Sequence, residues 1–288
     1  MQSETETQVR AWVEYFRDIG VHDFYRRGEP APQTASEAEA VTATPDAAVE
    51  SGRPFVNETP STPPIAGTHF MPPPDRLISF NNLAPIPSEA VPPDEREAAL
   101  RAIQQEIGDC TRCSLAYAGR HKIVFGDGSP TARLMFVGEG PGADEDAQGL
   151  PFVGKAGQLL NNMIGAMGLA RAEVYIANIV KCRPPGNRVP EPAEANTCSQ
   201  FLLRQIYVVR PEAIVALGAT AATYLLGVKQ SLSSLRGRWH HCRGAKLAVT
   251  YHPAFLLRDP RQKAEACKDL QMVMRELGLT PPAPKKNA

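Results

Sequence analysis

The chain has 288 residues, of which 43% are hydrophobic, enough for one or two domains with a sizeable buried core. No apolar run approaches the roughly 20 residues that a membrane-spanning helix needs, and the N-terminus lacks the basic start and apolar stretch of a secretory signal. We therefore expect a cytoplasmic protein with no membrane contact, in which six cysteines indicate metal or cofactor binding rather than disulfides.

The net charge of zero hides a division of the chain into an acidic and a basic part. Residues 1–95 carry 6 Lys or Arg and 15 Asp or Glu, whereas residues 96–288 carry 25 and 16. A basic globular part with an acidic extension suits a polyanionic ligand such as DNA or RNA. An ordinary domain with a solvated basic face would show the same charge.

The acidic part divides into two segments. In residues 1–27 the apolar side chains recur at helical spacing, which predicts one amphipathic helix that docks on a partner protein or folds back onto the domain; they are Val9, Trp12, Val13, Phe16 and Ile19. Residues 28–95 hold 14 of the 27 prolines and few aromatic residues. Such a composition buries too little apolar surface to fold, so this segment is predicted to be a disordered linker.

Residues 96–288 predict a single α/β domain. Four short apolar runs predict strands, at 134–137, 174–180, 213–217 and 247–250. Helices are predicted between and before them, at 97–107, 157–167, 192–209 and 220–226. Alternation of helices with uninterrupted apolar strands favours a parallel sheet that is covered on both faces.

Polar or glycine-rich segments follow three of the four predicted strands, where open α/β sheets bind their ligands. The first strand runs into GEGPGADEDAQGLPFVGKAG, the second into KCRPPGNR and the fourth into YHPAFLLR. The first segment carries four acids, which repel phosphate, and neither G-x-G-x-x-G nor G-K-[ST], so a nucleoside triphosphate site is disfavoured. A flat neutral ligand such as a base suits this segment better.

Four of the cysteines form a candidate metal site. Cys110 and Cys113 make a C-x-x-C pair, and Cys182 and Cys198 lie further along the chain. This set permits zinc or an iron–sulfur cluster, and spacing alone does not separate the two. A thioredoxin-like redox site is excluded because Cys110 follows a predicted helix rather than a strand.

Four segments, in this order, resemble the family 4 uracil-DNA glycosylases, the iron–sulfur branch of that superfamily: GEGPGADEDAQGLPFVGKAGQLL, IANIVKCRPPGNRVPEP, IVALGATAATYLLG and TYHPAFLLR. The likeness runs from about Ala98 to Leu277. It implies a three-layer αβα fold around a four-stranded parallel sheet, excision of uracil from DNA to start base excision repair, and a [4Fe–4S] cluster. The implied cluster ligands are Cys110, Cys113, Cys182 and Cys198. Cys242 and Cys267 fall outside this pattern, and we interpret them as small buried hydrophobes.

The resemblance also implies a set of base-binding residues. An enzyme that cuts a base from a duplex must flip the base out, stack it and read its hydrogen-bonding edge. Phe152 would be the stacking ring, and Asn178 would donate to uracil O4 and accept from N3–H, a pattern that rejects cytosine. The backbone N–H groups of Glu139 and Gly140 would bind uracil O2, with Pro141 beside them.

Cleavage of the glycosidic bond needs negative charge and water beneath the sugar, and hydrogen-bond donors around the departing uracil. Glu139 and Glu145 are the available carboxylates. We favour Glu139 for activating the water, with Glu145 at the edge of the pocket. His252 would donate a hydrogen bond to O2 of the leaving uracil.

DNA would be gripped by an apolar wedge with a basic tip that fills the gap left by the flipped base. The wedge is predicted from four consecutive residues, Phe255, Leu256, Leu257 and Arg258. Phosphate contacts are predicted for Arg183, Arg188, Arg236 and Arg238. We expect a monomer that acts on single- or double-stranded uracil-containing DNA.

There are two alternatives to a turnover enzyme. A related branch traps uracil-DNA covalently through a His in an inserted loop after the second strand, but residues 182–188 contain neither a His nor an insertion. A non-turnover module that binds or tethers DNA, recruited through the N-terminal extension, is the second alternative. The joint presence of Glu139, Asn178 and His252 disfavours it.

Overall fold

The computed structural model describes residues 79–82 and 89–280. The predicted N-terminal helix and most of the predicted linker lie outside these residues. The described helices are α1 (Arg96–Ile107), α2 (Ala143–Gln148), α3 (Lys155–Ala166), α4 (Pro192–Val209), α5 (Ala219–Leu226), α6 (Leu232–Leu235), α7 (Pro253–Arg258) and α8 (Lys263–Leu277). The strands are β1 (Asp127–Gly128), β2 (Leu134–Gly138), β3 (Tyr175–Asn178), β4 (Ala213–Leu217), β5 (His240–Cys242) and β6 (Ala245–Thr250).

One sheet organises the described domain, with strand order β1-β3-β2-β4-β6-β5. The four central strands are parallel to one another, which confirms the predicted parallel core. The sheet has six strands rather than four, because β1 and β5 add to its edges in antiparallel orientation. These edge strands have two and three residues and no apolar run, so the sequence carries no periodic signal for them.

The apolar strands are buried because helices cover both faces of the sheet. Every residue of β2 and β4 is buried. Met135 and Val137 pack on one face with residues of α1, α4 and α5, whereas Leu134 and Phe136 pack on the other with residues of α3 and α8. This alternation along β2 produces the three-layer arrangement that the resemblance implies.

The predicted boundary between linker and domain is wrong at its C-terminal end. Phe80, placed in the linker by composition, is 2% exposed and belongs to the hydrophobic core. Asn81 fixes this segment, because its side-chain amide donates to the carbonyl of His241 (2.8 Å) and its Oδ1 accepts from the backbone N–H of Arg243 (2.8 Å). Composition misses such an anchor because one aromatic side chain does not change the average of a proline-rich segment.

The carboxyl ends of the parallel strands lie together at one edge of the sheet. Gly138 at the end of β2 pairs with Asn178 at the end of β3, and Leu217 pairs with Thr250. The polar segments that follow β2, β3 and β6 therefore converge at the edge where open α/β sheets bind ligands. None of the described helices combines the length and apolar character needed to cross a bilayer.

Candidate active site

A cavity of about 520 Å³ opens at this edge of the sheet. Its walls come from the loops after β2, β3 and β6 and from the start of α3, and they include every predicted catalytic and base-binding residue: Glu139, Gly140, Pro141, Glu145, Phe152, Asn178 and His252. Three cationic side chains, Lys155, Arg188 and Arg258, also line it. The fold thus assembles residues that span more than 110 positions of sequence around one polar cavity.

Asn178 lies at the end of β3 and is 1% exposed. Its Oδ1 is the one buried side-chain nitrogen or oxygen among the described residues that has no hydrogen-bond partner. A buried acceptor without a partner costs roughly 1–3 kcal/mol, so it marks a place where a ligand N–H belongs. Gly138 makes room for it, because a Cβ at that position would lie 2.4 Å from Oδ1 and 2.6 Å from the Phe152 ring.

Phe152 is buried beside Asn178 in an unusual backbone conformation, with φ at +52°. A bulky residue in this region is strained and persists only when its surroundings hold it. Arg171 supplies the restraint, since its guanidinium donates to the carbonyls of Phe152 (3.1 Å) and Pro151 (2.6 Å). The Phe152 ring lies 5.6 Å from the His252 ring, centroid to centroid.

Glu139 follows β2 directly and is half-buried. Burial raises the pKa of its carboxyl, and a hydrogen bond from Thr220 in the first turn of α5 partly offsets that rise. A carboxylate with a raised pKa in a cavity can accept a proton from water near neutral pH. Glu139 therefore has the environment expected of a general base.

Glu145 lies in the same cavity, but its carboxylate is engaged by the backbone. Oε2 accepts from the N–H of Gly142 (3.1 Å), and Oε1 accepts from the N–H groups of Val153 (2.9 Å) and Gly154 (3.0 Å). These bonds join the loop after β2 to the segment that carries Phe152. The geometry favours a positioning role for Glu145, so that of these two carboxylates Glu139 is the one available to water.

His252 caps the N-terminus of α7. Its Nδ1 accepts a hydrogen bond from the backbone N–H of Ala254 (3.1 Å), which leaves the proton of the neutral ring on Nε2. Burial, followed by the nearby charge of Arg258, lowers the pKa of His252 to about 4. The imidazole is therefore a neutral N–H donor at physiological pH.

The predicted wedge is only partly exposed. Leu256 is 1% exposed and packs against the neighbouring helices, so its assignment to the DNA-contacting wedge is wrong. Leu257 is 44% exposed, and Arg258 lies at the cavity. Phe255 is half-buried because it stacks on Tyr251, with ring centroids 5.1 Å apart. In the short helix α7, neighbouring side chains point in different directions, which the linear segment does not reveal.

The four candidate phosphate-binding arginines have different environments. Arg188 makes a two-pronged ion pair with buried Glu194 at 2.7 and 2.9 Å, although it still lines the cavity. Arg183 donates to Asn187 (2.8 Å). Arg236 is 10% exposed and pairs with buried Asp269 (2.7 Å), so it is a structural residue, contrary to the prediction. Arg238 is exposed.

The four candidate metal-binding cysteines lie near enough for their thiols to interact electrostatically. The Cys113 thiol interacts electrostatically with Cys110 and Cys182, and the Cys198 thiol with Cys113 and Cys182. Burial raises the pKa of Cys113 to about 11 and that of Cys198 to about 12, so neither is a reactive thiolate in the absence of metal. Within the described residues, no three His, Cys, Asp or Glu side chains are grouped closely enough to hold a single metal ion.

The two remaining cysteines differ from each other. Cys242 is fully buried, as predicted for a small hydrophobe. Cys267 is exposed on α8, so the same prediction is wrong there. Its position on the outer side of an amphipathic helix, unlike that of Cys242 in a strand, places it in solvent.

Three functional candidates carried no signal in the sequence. Arg171 precedes β3 in a short 3-10 turn, Thr220 lies in α5 and Lys155 begins α3. Each is marked only by a contact with a residue distant in sequence or by its place on the cavity wall. Lys155 lies within one of the quoted segments, but nothing in its spacing distinguishes it from a solvated lysine.

Comparison with known proteins agrees with this geometry. Residues 125–277 match the family model of the Uracil DNA glycosylase superfamily. A type-4 uracil-DNA glycosylase of Thermotoga maritima is 45% identical over 168 residues, which span 57% of this chain and 86% of the relative. One of Pyrobaculum aerophilum is 40% identical over 181 residues, or 60% of this chain and 92% of the relative.

A more distant relative is the type-5 uracil-DNA glycosylase of Pyrobaculum aerophilum. It is 32% identical over 158 residues, which span 49% of this chain and 69% of the relative. The type-4 relatives are thus both more similar and more fully covered than this type-5 relative. The chain belongs to the uracil-DNA glycosylase superfamily and, within it, to the type-4 uracil-DNA glycosylases.

Proposed function

We propose that the protein hydrolyses the N-glycosidic bond of deoxyuridine in DNA, which releases free uracil and leaves an abasic site for repair. Family membership supports this activity. The observation that carries it at the level of the site is the unpartnered Oδ1 of Asn178, buried beside the Phe152 ring in a polar cavity. A flat base with an N–H at its edge satisfies both features.

Base recognition follows from the positions of the two side chains. The Asn178 Oδ1 accepts from uracil N3–H, and its NH2 group donates to O4. Cytosine has no N3 proton, so it leaves the Asn178 Oδ1 without a hydrogen bond. It also carries an amino group in place of O4, so that two donors, this amino group and the Asn178 NH2, face each other. Phe152 stacks on the base, and the backbone N–H groups of Glu139 and Gly140, next to Pro141, bind O2.

The reaction requires a cation-like sugar and an anionic leaving group. Water adds to C1′ while the C1′–N1 bond breaks, and the electron pair of that bond leaves with uracil. Glu139 accepts the proton of the water, and its negative charge stabilises the sugar. His252 donates its Nε2–H to uracil O2, a contact on the scale of an oxyanion-hole donor, which contributes roughly 3–4 kcal/mol.

We propose that the exposed residues around the cavity bind the DNA. Leu257 and half-buried Phe255 fill the space that the flipped base leaves, while Arg258, Arg183 and Arg188 contact phosphates. Lys155 joins them at the cavity wall. Because these cations displace counterions from DNA, affinity should fall steeply with salt.

The activity is tested by release of labelled uracil from an oligonucleotide, and the pocket by Asn178→Asp. The aspartate places an acceptor opposite uracil O4, which is also an acceptor. We therefore expect uracil release to fall by about 10²-fold or more, the effect of losing a polar contact of ~3 kcal/mol. Any residual activity should shift toward cytosine. Unchanged uracil turnover in this variant would refute the pocket. Binding without release by the wild-type protein would instead support the non-turnover alternative.

We also propose that Cys110, Cys113, Cys182 and Cys198 hold a [4Fe–4S] cluster. The donor set fits, because such clusters are held by four cysteine thiolates, and each of these four thiols interacts electrostatically with at least two of the others. Arg120 adds positive charge beside them, donating to Cys182 Sγ (3.3 Å) and to the Cys110 carbonyl (2.7 Å). When bound, the cluster supplies iron–thiolate bonds that tie α4 and the loop after β3 to the segment after α1.

The cluster proposal is tested by metal analysis of the full-length protein purified without oxygen. We expect about four irons per chain and a broad absorbance near roughly 400 nm. Stoichiometric zinc without iron would contradict it. Cys182→Ala should give insoluble protein, because the cluster has a structural role.

The remaining expectations concern the assembly. We propose a cytoplasmic monomer, which light scattering and cell fractionation would test. We also propose that residues 1–27 bind a protein partner, which a pull-down with and without that segment would test.

A further inference from the structure

A buried lysine lies directly behind the base-reading end of β3 and has no part in the mechanism above. Lys181 is 0% exposed and follows Asn178 by three residues. Its ammonium donates to the backbone carbonyl of Asn178 (3.0 Å) and to Oε1 of Gln205 (2.6 Å). A lysine is almost never fully buried unless its ammonium is paired with partners of its own.

The position of this ammonium is fixed by a rigid frame. The side-chain amide of Gln205, on α4, donates to the carbonyl of Phe125 (2.9 Å) and to the hydroxyl of Tyr175 (3.1 Å). Tyr175 begins β3, and Asn178 ends it. The hydrogen bonds of Gln205 and Lys181 therefore hold both ends of the strand from one side.

On its other side, Lys181 contacts the cysteine site. Its backbone N–H donates to Sγ of Cys198 (3.3 Å), and its charge interacts with the same thiol. The two acceptors of the ammonium, the backbone carbonyl of Asn178 and Oε1 of Gln205, are both neutral oxygens. Lys181 therefore joins two parts of the fold, because its backbone binds the cysteine site and its side chain binds the end of β3.

We propose that Lys181 is a positioning residue for uracil recognition: it ties the end of β3 to the cysteine site and thereby orients the Asn178 amide toward the base. This inference rests on the proposed function. The orientation of the Asn178 amide depends on the position of the strand end, because Oδ1 has no hydrogen-bond partner that would fix the amide independently. The side chain packs closely against Gly138, so it moves with the strand. A small shift of the strand end would misalign both of its bonds to uracil.

The test measures DNA binding without turnover. Oligonucleotides carry one 2′-fluoro-2′-deoxyuridine, whose glycosidic bond resists cleavage, or the cytidine equivalent. Fluorescence anisotropy gives both dissociation constants for the wild-type protein, Lys181→Met, Asn178→Ala and the double variant, in samples matched for iron per chain. Lys268→Met is the control, since Lys268 is an exposed lysine that pairs with Glu265 on α8.

We expect Lys181→Met to lower the preference for uracil over cytosine by about 10-fold, the effect of one weakened polar contact. The double variant should bind uracil DNA as Asn178→Ala does, because a residue that acts only through Asn178 has no further effect once the amide is gone. The control should match the wild-type protein. Unchanged preference in Lys181→Met, or additive losses in the double variant, would overturn the inference.

A second variant covers the case in which Lys181→Met does not fold. Gln205→Met removes one acceptor that fixes the ammonium and should lower the uracil preference in the same direction. Unchanged preference in that variant would equally overturn the inference. Failure of the proposed function has a different signature, because the wild-type protein would then release no uracil from an ordinary deoxyuridine oligonucleotide.

Discussion

The guanidinium of Arg171 donates a hydrogen bond to the carbonyl oxygen of Phe152 at 3.1 Å and holds that residue at a φ of +52°. Gly157 approaches the same carbonyl closely, since a Cβ at that position would lie 1.9 Å from the oxygen. The Phe152 backbone is therefore positioned by two residues that are not part of the cavity wall.

Arg171→Met should release this restraint. Because Phe152 would relax from a strained backbone region that costs roughly 1–3 kcal/mol, we expect uracil excision to fall by about 10-fold or more, mainly through weaker substrate binding. Single-turnover rates at several enzyme concentrations separate binding from chemistry. Arg133→Met, which breaks an exposed ion pair with Glu212, is the matched control, and equal behaviour of the two variants would contradict the assignment.

Glu139 should govern the acid side of the pH–rate profile. Since burial raises its pKa above 4.5, the rate should fall as pH decreases, with a midpoint above that of an ordinary glutamate. Thr220→Val removes the hydrogen bond that favours the carboxylate, so the midpoint should move to higher pH. Thr223→Val, the same change three residues along α5, should leave it in place.

Glu139→Gln should lower the single-turnover rate by about 10²-fold or more and flatten its dependence on pH. Glu145→Gln should act differently, because that carboxylate accepts backbone hydrogen bonds from Val153 and Gly154. We expect it to lower the melting temperature along with the activity. A flattened pH profile in Glu145→Gln would reverse the two assignments.

His252 should make the protein less stable in acid. Its folded-state pKa of about 4 lies below the ordinary value of 6.5, so the unfolded chain binds the proton more readily. Neutral His252 makes its full contribution to the free energy of unfolding above pH 6.5, and this contribution is lost as the pH falls toward 4. At pH 5 the free energy of unfolding should be lower by about 2 kcal/mol. His252→Asn keeps a helix cap without titrating, and urea unfolding of both proteins at pH 7 and pH 5 should show the difference.

Leu256 and Leu257 are adjacent but should give opposite phenotypes. Leu257→Ala trims an exposed side chain, so we expect slower excision from duplex DNA, little change on single strands and unchanged stability. Leu256→Ala empties a buried site and should lower the free energy of unfolding by about 2–5 kcal/mol. Thermal melts and excision rates on both substrates test the pair. Equal loss on duplex and single strands in Leu257→Ala would exclude a wedge.

Truncation should have different effects on either side of Phe80. Removal of residues 1–78 leaves this anchor in place and should preserve both stability and uracil release from a short oligonucleotide. Removal of residues 1–90 deletes it and should destabilise the domain, as should Phe80→Ala, by about 3–5 kcal/mol. Equal melting temperatures for the two truncated proteins would show that Phe80 contributes little.

The sequence by itself determined the central sheet and which residues line the cavity. Uninterrupted apolar runs at 134–137 and 213–217 can be satisfied only where helices cover both faces of a sheet, and these runs are the strands β2 and β4. Asn178, Phe152 and His252 were predictable because they belong to local segments whose order along the chain is distinctive. Parallel strands then place the segments that follow them at one edge.

The tertiary structure alone decided what each of those residues can do. Glu139 and Glu145 are both carboxylates near one another in the chain, and their environments are distinguished by the backbone N–H groups that bind Glu145 and by the burial that raises the pKa of Glu139. The burial of Phe80 and Leu256 and the supporting bonds of Arg171 and Lys181 depend on contacts between residues far apart in sequence. Periodicity and composition report which face of its own element a residue occupies, whereas burial, pKa and hydrogen-bond partners are set by the elements that pack against it.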